Sequence, residues 1–253
     1  MRRLLIRPGG IGDVIVSLPA LEYLKADYTE VWVPSATVPL IQFADRVVSI
    51  ASSRIDMLTD GFVERFRQFD EVHSWYGSNK EELLAINRNC HFYRLLGEGD
   101  EHACDVCLKQ VGGPLGLRPK IRVKNVARET IAIHPFSGSH KKNWAYENFF
   151  ELAERLPLPV EWAQDRFGNL LELGEWIAGA RLYIGNDSGI THLAGAVGAP
   201  VLAIFMQSEP KIWAPDRAKV LRNPSVEEVL EAANELRRRR AAHGLEEICE
   251  PSR

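Results

Sequence analysis

Short apolar runs alternate along the chain with longer segments that have the apolar spacing of helices. The runs are LLI (4–6), VWV (31–33), VVSI (47–50), IAI (131–133), LYI (182–184) and VLAIF (201–205). Runs of this length between helical segments are typical of buried parallel strands joined by crossover helices. The pattern therefore predicts an α/β fold.

The series of strands is interrupted in the middle of the chain. Residues 112–130, GGPLGLRPKIRVKNVARET, are rich in Gly, Pro and basic residues, a composition typical of a linker followed by a new start. Each half opens with a strand that runs into a turn of small residues, LLIRPGGIGD and IAIHPFSGSH. We therefore predict two similar domains, residues 1–120 and 121–253.

The end of the chain predicts one more helix. In SVEEVLEAANELRRRR, Ser225 and Glu228 have the spacing of a capping box. The arginines at 237–240 are expected to complement the helix dipole, with contact to anionic lipid or nucleic acid as the alternative. Residues beyond this helix are expected to form a mobile tail.

Composition excludes several classes of protein. A formal net charge of −3 gives no overall basic field, so a nucleic-acid partner is not expected. No run reaches the roughly 18 apolar residues of a membrane span, and the four cysteines are no disulfide framework. Cys104 and Cys107 lack a partner pair for zinc and fit one apolar face of a helix. We expect a cytoplasmic protein with reduced thiols.

The first candidate for chemistry is RPGGIGDVIVSLPAL (7–21), where Gly9, Gly10 and Gly12 separate a strand from a helix. Glycines at such a turn let a ligand approach the backbone closely. The dinucleotide fingerprint is incomplete, because Ile15 stands at its third glycine position. Asp13 begins the helix, where it could be a cap or a general base.

Two further candidates lie in the second half. In IAIHPFSGSHKKNW (131–144), small residues including Ser137 and Gly138 precede two lysines, of which Lys142 is favoured over Lys141 as a phosphate ligand. In LYIGNDSGITHLAGAVGAPVLAIF (182–205), a turn opens a helix that carries His192. Free helix amides and the Ser188 hydroxyl suit a pyrophosphate there.

These segments resemble a known family. RPGGIGDVIVSLPAL resembles the opening of the heptosyltransferases of glycosyltransferase family 9, HPFSGSHKKNW their second-domain lysine motif, and NDSGITHLAGAVGAPVLAIF their donor-phosphate motif. The similarity extends over most of residues 1–236. It implies a GT-B fold, in which two Rossmann-like domains with parallel sheets face each other across a cleft, and inverting sugar transfer without a metal or cofactor.

The resemblance also implies residue roles. Asp13 matches the base that deprotonates the acceptor, Lys142 matches the catalytic lysine that neutralises donor phosphate, and the glycine loop 9–12 would lie on the acceptor side. The donor-binding residues would be Ser137, Gly138, Lys142, Asp187, Ser188, Gly189 and His192.

The chain also departs from the family pattern. It is markedly shorter than typical members, and PLPVEWAQDRFGNLLELGEW (157–176) replaces the turn whose glutamate holds the nucleoside. Glu161 and Asp165 are the alternatives for that role. Met206 stands where a glycine is usual, so we expect a different floor of the donor pocket.

Three functions are considered. The favoured one is transfer of a heptose-like sugar from an ADP-linked donor to a lipopolysaccharide-type glycolipid or other envelope acceptor, at the inner face of the inner membrane with at most peripheral contact. The second is a shortened, non-catalytic homologue that binds a nucleotide or nucleotide sugar. The third is an enzyme that cleaves or epimerises a nucleotide sugar.

Overall fold

The computed structural model describes residues 1–94, 99–163 and 167–246, with side chains in the last helix described as far as Arg238. The chain divides into two compact units, Met1–Arg122 with Asn169–Leu171, and Val123–Gly168 with the chain from Glu172 onward. The boundary expected near residue 120 lies two residues before this division. Asp165 lies outside the described residues. The last helix continues to Glu246, so the start of the expected mobile tail is helical and the arginines at 237–240 do not end the helix. The rest of that tail, residues 247–253, lies outside the described residues.

The N-terminal unit is a parallel sheet with helices between its strands. Its strand order is β3-β2-β1-β4-β5. The elements are β1 (Arg2–Ile6), α1 (Ile11–Tyr23), β2 (Tyr28–Val33), a 3-10 helix (Ser35–Leu40), β3 (Arg46–Ser49), α2 (Ile50–Ser53), α3 (Asp60–Phe66), β4 (Glu71–Ser74), α4 (Lys80–Ile86), β5 (Cys90–Phe92) and α5 (Ala103–Gln110).

The C-terminal unit is built in the same way around a second parallel sheet, ordered β10-β9-β8-β6-β7. The elements are β6 (Ile131–His134), a 3-10 helix (His140–Lys142), α6 (Tyr146–Arg155), β7 (Val160–Trp162), α7 (Leu170–Gly179), β8 (Leu182–Asn186), α8 (Gly189–Ala196), β9 (Val201–Phe205), α9 (Pro210–Trp213), β10 (Lys219–Arg222) and α10 (Val226–Glu246).

All six strands predicted from apolar runs are present, as β1, β2, β3, β6, β8 and β9. Four strands were missed, namely β4, β5, β7 and β10. Strand β4 pairs with the central β1 although its sequence is EVHS, and the other three lie at or next to the sheet edges. Their polar residues hide them from a search for apolar runs.

Each sheet buries its own core. In the N-terminal unit, Leu4 and Ile6 of β1 pack with Trp32, Phe62 and Phe66. In the C-terminal unit the buried residues are Ile131, Ile133, Trp144, Phe149, Leu152, Leu182, Ile184, Leu202, Ile204, Val229, Ala232 and Ala233. Burial of this apolar surface is the main stabilisation of each unit.

Two local predictions are confirmed. The Ser225 hydroxyl accepts the Glu228 N–H at 3.3 Å, and the Glu228 carboxylate accepts the Ser225 N–H at 2.8 Å, so a capping box begins α10. Cys104 and Cys107 lie buried on one side of α5, and burial raises the pKa of their thiols to about 12 and about 11. Both cysteines are structural residues.

Among the described residues, no helix is long and apolar enough to cross a membrane. Nor do three or more His, Cys, Asp or Glu side chains of that part of the chain come together as metal ligands would.

Candidate functional site

The strand orders locate the candidate sites. In a doubly wound sheet, ligands bind outside the carboxyl ends of the strands where the strand order reverses. That point lies between β1 and β4 in the first sheet and between β6 and β8 in the second. The glycine turn with Asp13 follows β1, the lysine segment follows β6 and the NDSG turn ends β8. All three predicted segments therefore lie at reversal points.

Asn186 joins the two loops of the C-terminal unit. Its fully buried side chain accepts the Trp144 backbone N–H at 2.9 Å and donates to the Pro135 carbonyl at 2.6 Å. Trp144 is anchored as well, since its indole N–H donates to the Pro224 carbonyl at 2.9 Å. The loop after β6 is therefore fixed against the turn after β8.

This arrangement brings Lys142 onto Asp187. The Lys142 ammonium lies 2.8 Å from Oδ2 of Asp187, whose side chain is 4% exposed while that of Lys142 is 39% exposed. His192 Nε2 lies 3.9 Å from the other Asp187 oxygen. The Ser208 hydroxyl, in the loop after β9, donates to the same Oδ2 as Lys142. Three predicted residues thus form one cluster, to which the structure adds Ser208.

Ser188 and Gly189 form the start of α8. The Ser188 hydroxyl accepts the Thr191 N–H at 3.3 Å and is therefore the helix cap. Gly189 is the first residue of the helix, at the positive end of its dipole, where an anion is favoured. The hydroxyl of Ser188 thus orients the turn, and the N-terminus of α8 favours a negatively charged ligand.

Ser137 and Gly138 are not tied to this cluster by hydrogen bonds that the structure describes. The Ser137 hydroxyl lies 2.7 Å from Oδ1 of Asn143 and 2.8 Å from the Ser139 carbonyl, so it orders its own loop. A Cβ atom on Gly138 would meet nothing within 4 Å, so the backbone there does not require glycine. A donor-binding role for both stays a prediction.

An aromatic cavity of about 660 Å³ is lined in part by residues of the segments that carry the cluster. Phe136 and Tyr146 stack with ring centroids 5.5 Å apart, and Phe150 and Trp162 lie 5.1 Å apart. Because Phe136 directly precedes the loop of Ser137 and Ile190 lies in the first turn of α8, cavity and cluster share both loops. The lining residues are His134, Pro135, Phe136, Tyr146, Phe150, Trp162, Ala163, Leu173 and Ile190.

The cavity was not predicted from the sequence. Its signal was available, because aromatic residues follow the end of β6, occupy two positions four residues apart on α6, and end β7. Phe136, Tyr146 and Phe150 are 52%, 42% and 47% exposed. Large aromatic side chains left open around a cavity are unusual unless they contact a ligand.

His134 is the polar residue of this wall. Burial lowers the pKa of its imidazole below the usual value, so the ring is neutral at pH 7. Its Nδ1 is buried and makes no hydrogen bond to the residues that the structure describes. A neutral imidazole beside an aromatic wall suits an uncharged heterocycle better than an anion.

Two residues that were expected on the donor side make other contacts in the structure. The Glu161 carboxylate accepts the Trp176 indole N–H at 2.7 Å and lies 3.4 Å from Arg128, so it joins β7 to α7. Met206 packs against the core of the C-terminal unit and does not line the aromatic cavity. Met206 is therefore not among the residues that line this cavity, and its effect on the donor pocket stays a prediction.

In the N-terminal unit, the glycine turn is built around Asp13. The Asp13 carboxylate accepts the Gly10 N–H at 2.8 Å, which caps α1. Gly9 has φ +119°, and a Cβ atom there would lie 2.8 Å from Cβ of Asp13. Gly12 lies in the first turn of α1. Gly9 is therefore required by both its backbone and its closeness to Asp13.

Arg7 holds this turn through hydrogen bonds, and the sequence analysis did not identify it. Its side chain is 1% exposed, donates to the Ser17 hydroxyl and to the Asp13 carbonyl at 3.0 Å each, and also contacts the Pro8 carbonyl. Burial lowers the pKa of its guanidinium. The only hint in the sequence was a charged residue at the end of an apolar strand.

Comparison with known proteins adds to this geometry. Residues 168–240 match the model of glycosyltransferase family 9 (heptosyltransferase). No curated protein matches the chain in sequence.

Solved structures match at the level of the fold. ADP-heptose lipopolysaccharide heptosyltransferase II of E. coli has a TM-score of 0.77 at 15% identity, covering 95% of this chain and 100% of its own. A family 9 glycosyltransferase from Veillonella parvula has a TM-score of 0.72 at 18% identity, covering 93% and 97%. E. coli heptosyltransferase WaaC with ADP has a TM-score of 0.63 at 16% identity, covering 93% and 100%.

The fold class predicted from the sequence, α/β of the GT-B type with two Rossmann-like parallel sheets, is therefore confirmed. The resemblance of this chain to the heptosyltransferases of glycosyltransferase family 9 is likewise confirmed, by the family model over residues 168–240 and by the fold over the chain as a whole.

Proposed function

We propose that this protein is an inverting glycosyltransferase that takes a heptose-like sugar from an ADP-linked donor and transfers it to a lipopolysaccharide-type envelope acceptor. The donor is the only small co-substrate in this proposal, and no metal or further cofactor takes part. The site of action is the cytoplasmic face of the inner membrane.

One observation carries the proposal. An aromatic cavity of about 660 Å³ with a neutral His134 shares its loops with a cluster of Lys142, Asp187 and His192 at the start of α8. A flat heterocycle suits the cavity, and a diphosphate suits a lysine beside a helix N-terminus. Together, the cavity and the cluster match the two parts of a nucleoside diphosphate.

The proposed transfer needs a base for the acceptor and positive charge for the leaving group. An acceptor hydroxyl oxygen attacks the anomeric carbon while the bond from that carbon to the diphosphate oxygen breaks. Asp13 takes the hydroxyl proton, and the nucleoside diphosphate leaves with the electron pair of the broken bond. Lys142 and the positive end of α8 stabilise the charge that develops on the diphosphate, which is where electrostatic catalysis contributes most.

The ion pair between Lys142 and Asp187 has to break before Lys142 can contact the diphosphate. The ammonium is partly exposed and the carboxylate is buried, so the lysine is the group that turns toward the ligand. Asp187 remains in place through Ser208 and His192.

Calorimetry against ADP, UDP, GDP, CDP and dTDP, with magnesium and with EDTA, tests the donor site. We expect one diphosphate, ADP, to bind with equal affinity in both conditions. Lys142→Ala should weaken binding of the diphosphate about tenfold to a hundredfold, as expected for a charge-assisted contact. Binding of the bare nucleoside should be unaffected. The neighbouring Lys141→Ala is the matched control. Equal losses for both ligands, or for both lysines, would contradict the assignment.

A second candidate is a homologue that binds the nucleotide without transferring the sugar. The capping role of Asp13 favours this candidate, because the bond from Gly10 occupies one oxygen of its carboxylate. With a sugar nucleotide and acceptor in hand, Asp13→Asn should abolish turnover and keep diphosphate affinity if Asp13 is the base. If the wild type binds the donor and never consumes it, the second candidate is the correct one.

A further inference from the structure

An apolar surface stands out at the end of the N-terminal unit. Leu115 and Leu117 are 55% and 44% exposed, and Tyr23 at the end of α1 is 49% exposed. The leucines belong to the segment that follows α5, residues 113–122, called here the 113–122 loop. This surface plays no part in the sites described above.

The leucines are held outward by an ordered loop. The Asp105 carboxylate accepts the Gly116 N–H at 2.8 Å and pairs with the Arg118 guanidinium through bonds of 2.9 and 3.0 Å. A loop this well bonded at its centre has a fixed shape. Leu115 and Leu117 flank the bonded Gly116.

Both ends of the loop are fixed as well. At its start, the Gly113 N–H donates to the Leu108 carbonyl at 2.8 Å. At its end, the Arg122 backbone exchanges two hydrogen bonds with the Gln42 side chain, of 2.7 and 2.9 Å, and Ile121 is buried. The exposure of the leucines is thus built into the fold.

The loop and Tyr23 form one surface. Gly113 lies directly on the aromatic ring, because a Cβ atom there would be 3.2 Å from Cδ1 of Tyr23. The 113–122 loop therefore begins against the exposed ring at the end of α1, and Leu115 and Leu117 follow within four residues of that contact. We call Tyr23, Leu115 and Leu117 the apolar tip.

Basic residues surround the apolar tip. Lys25, Lys120 and Arg122 are exposed, and Glu22 is the exposed acid within electrostatic range of Lys25 and Arg122. The nearby Arg118 and Lys109 are already paired with Asp105 and Glu101. The other exposed acid beside Lys25 is Asp27, which pairs with the N-terminal ammonium. Three exposed cations against the Glu22 carboxylate therefore give the rim a positive charge, although the whole chain carries a net charge of −3.

We propose that this surface docks on an anionic lipid bilayer, with the apolar tip among the headgroups and Lys25, Lys120 and Arg122 on the lipid phosphates. Reversible membrane attachment takes two signals, apolar insertion and attraction between basic residues and anionic lipid, and this surface supplies both. The inference does not rest on the proposed transfer reaction.

Sedimentation with phosphatidylcholine vesicles, with and without phosphatidylglycerol, tests this. The full-length protein should bind the mixed vesicles, bind pure phosphatidylcholine far less, and be released by high salt. The double variant Leu115→Ser/Leu117→Ser should partition about tenfold less. Charge reversal by Lys120→Glu should weaken binding about fivefold to thirtyfold, because each basic residue near an anionic surface contributes about 1 kcal/mol and the reversal also adds repulsion.

Leu84→Ser on α4 is the matched control, because Leu84 is also an exposed leucine, at 39%. It should leave vesicle binding unchanged. The inference fails if the wild type ignores anionic vesicles, or if Leu84→Ser reduces binding as much as the loop variant. Nucleotide affinity, measured on the same samples, should be equal in all variants, so a failure here is distinct from a failure of the proposed donor site.

Discussion

At the scale of single residues, the carboxylate of Asp187 competes with the proposed ligand for Lys142. Their ion pair is partly exposed, and such a pair contributes about 1 kcal/mol. Asp187→Asn keeps the shape of the side chain and releases the lysine. We therefore expect the variant to bind the selected nucleoside diphosphate about fivefold more tightly in calorimetry.

The control for this prediction is Asp216→Asn, which removes an exposed carboxylate from the same unit and should leave affinity unchanged. Weaker binding by Asp187→Asn would mean that the carboxylate contacts the ligand itself.

His73 predicts a pH dependence of stability. It is buried between Tyr93, at 2.7 Å, and Glu71, at 3.4 Å, and burial together with the charge of Arg3 lowers its pKa to about 4 against the attraction of Glu71. The unfolded chain, with a pKa near 6.5, binds a proton that the folded chain does not, so stability falls as the pH drops through 6.5 toward 4. Between pH 7 and 5 this loss is about 2 kcal/mol.

Urea unfolding of His73→Gln should therefore show about 2 kcal/mol less loss over that pH range than the wild type. His91→Gln, which replaces the exposed histidine stacked on His73, serves as the control and should keep most of the pH dependence. Identical pH profiles for the wild type and His73→Gln would show that His73 titrates normally in the folded protein.

The residues that motifs could predict lie in segments that follow the ends of strands. Lys142, Asp187 and His192 come from short segments with a recognisable order. Arg7, Asn186 and Ser208 act by bonding to distant backbone or to another site residue. Their roles depend on contacts that only the folded chain creates, so no local pattern announces them.

At the scale of elements, the turn between β1 and α1 depends on one glycine more than on its neighbour. Gly9 has a positive φ and no room for a side chain, whereas a Cβ atom on Gly10 would meet only Oδ2 of Asp13, at 3.4 Å. Gly9→Ala should lower the free energy of unfolding by about 1–3 kcal/mol. Gly10→Ala should cost less than about 1 kcal/mol in the same urea titration, and equal costs would contradict the strained turn.

Strand prediction succeeded and failed for one physical reason. Strands β8 and β9 are buried on both faces, and they contain the continuous apolar runs LYI and VLAIF. Strand β4 is internal too, but one side of it carries Glu71 and His73, which pair with Arg3 and Tyr93. A strand that carries such polar pairs inside a sheet cannot be predicted from hydrophobicity alone.

At the scale of the molecule, the proposed donor site belongs to a single unit. A ligand that binds only the folded form stabilises it by an amount set by its concentration relative to Kd, roughly 2.7 kcal/mol at 100 Kd. In hydrogen exchange with the selected diphosphate, we expect slower exchange in β6, β8 and α8. If the two units unfold separately, the exchange rates of amides in β1, β2 and β4 should be unchanged. Uniform slowing would contradict this expectation.

The alternation of apolar runs was enough to predict an α/β fold. It could not predict strand order, because order depends on which edge of the growing sheet each crossover reaches. The two sheets differ in this respect: β1 lies between β2 and β4, whereas β6 lies between β7 and β8. The reversal points, and with them the sites, become visible only once the pairing is known.

The aromatic cavity gives the protein an optical property. Of its six tryptophans, Trp162 is the one that lines the cavity in the described structure, while Trp32, Trp75 and Trp144 are buried in the two cores. A base stacked against an indole quenches its fluorescence. Intrinsic emission should therefore dim as the site fills, and Trp162→Phe should remove most of this change, so the chain carries its own reporter of occupancy.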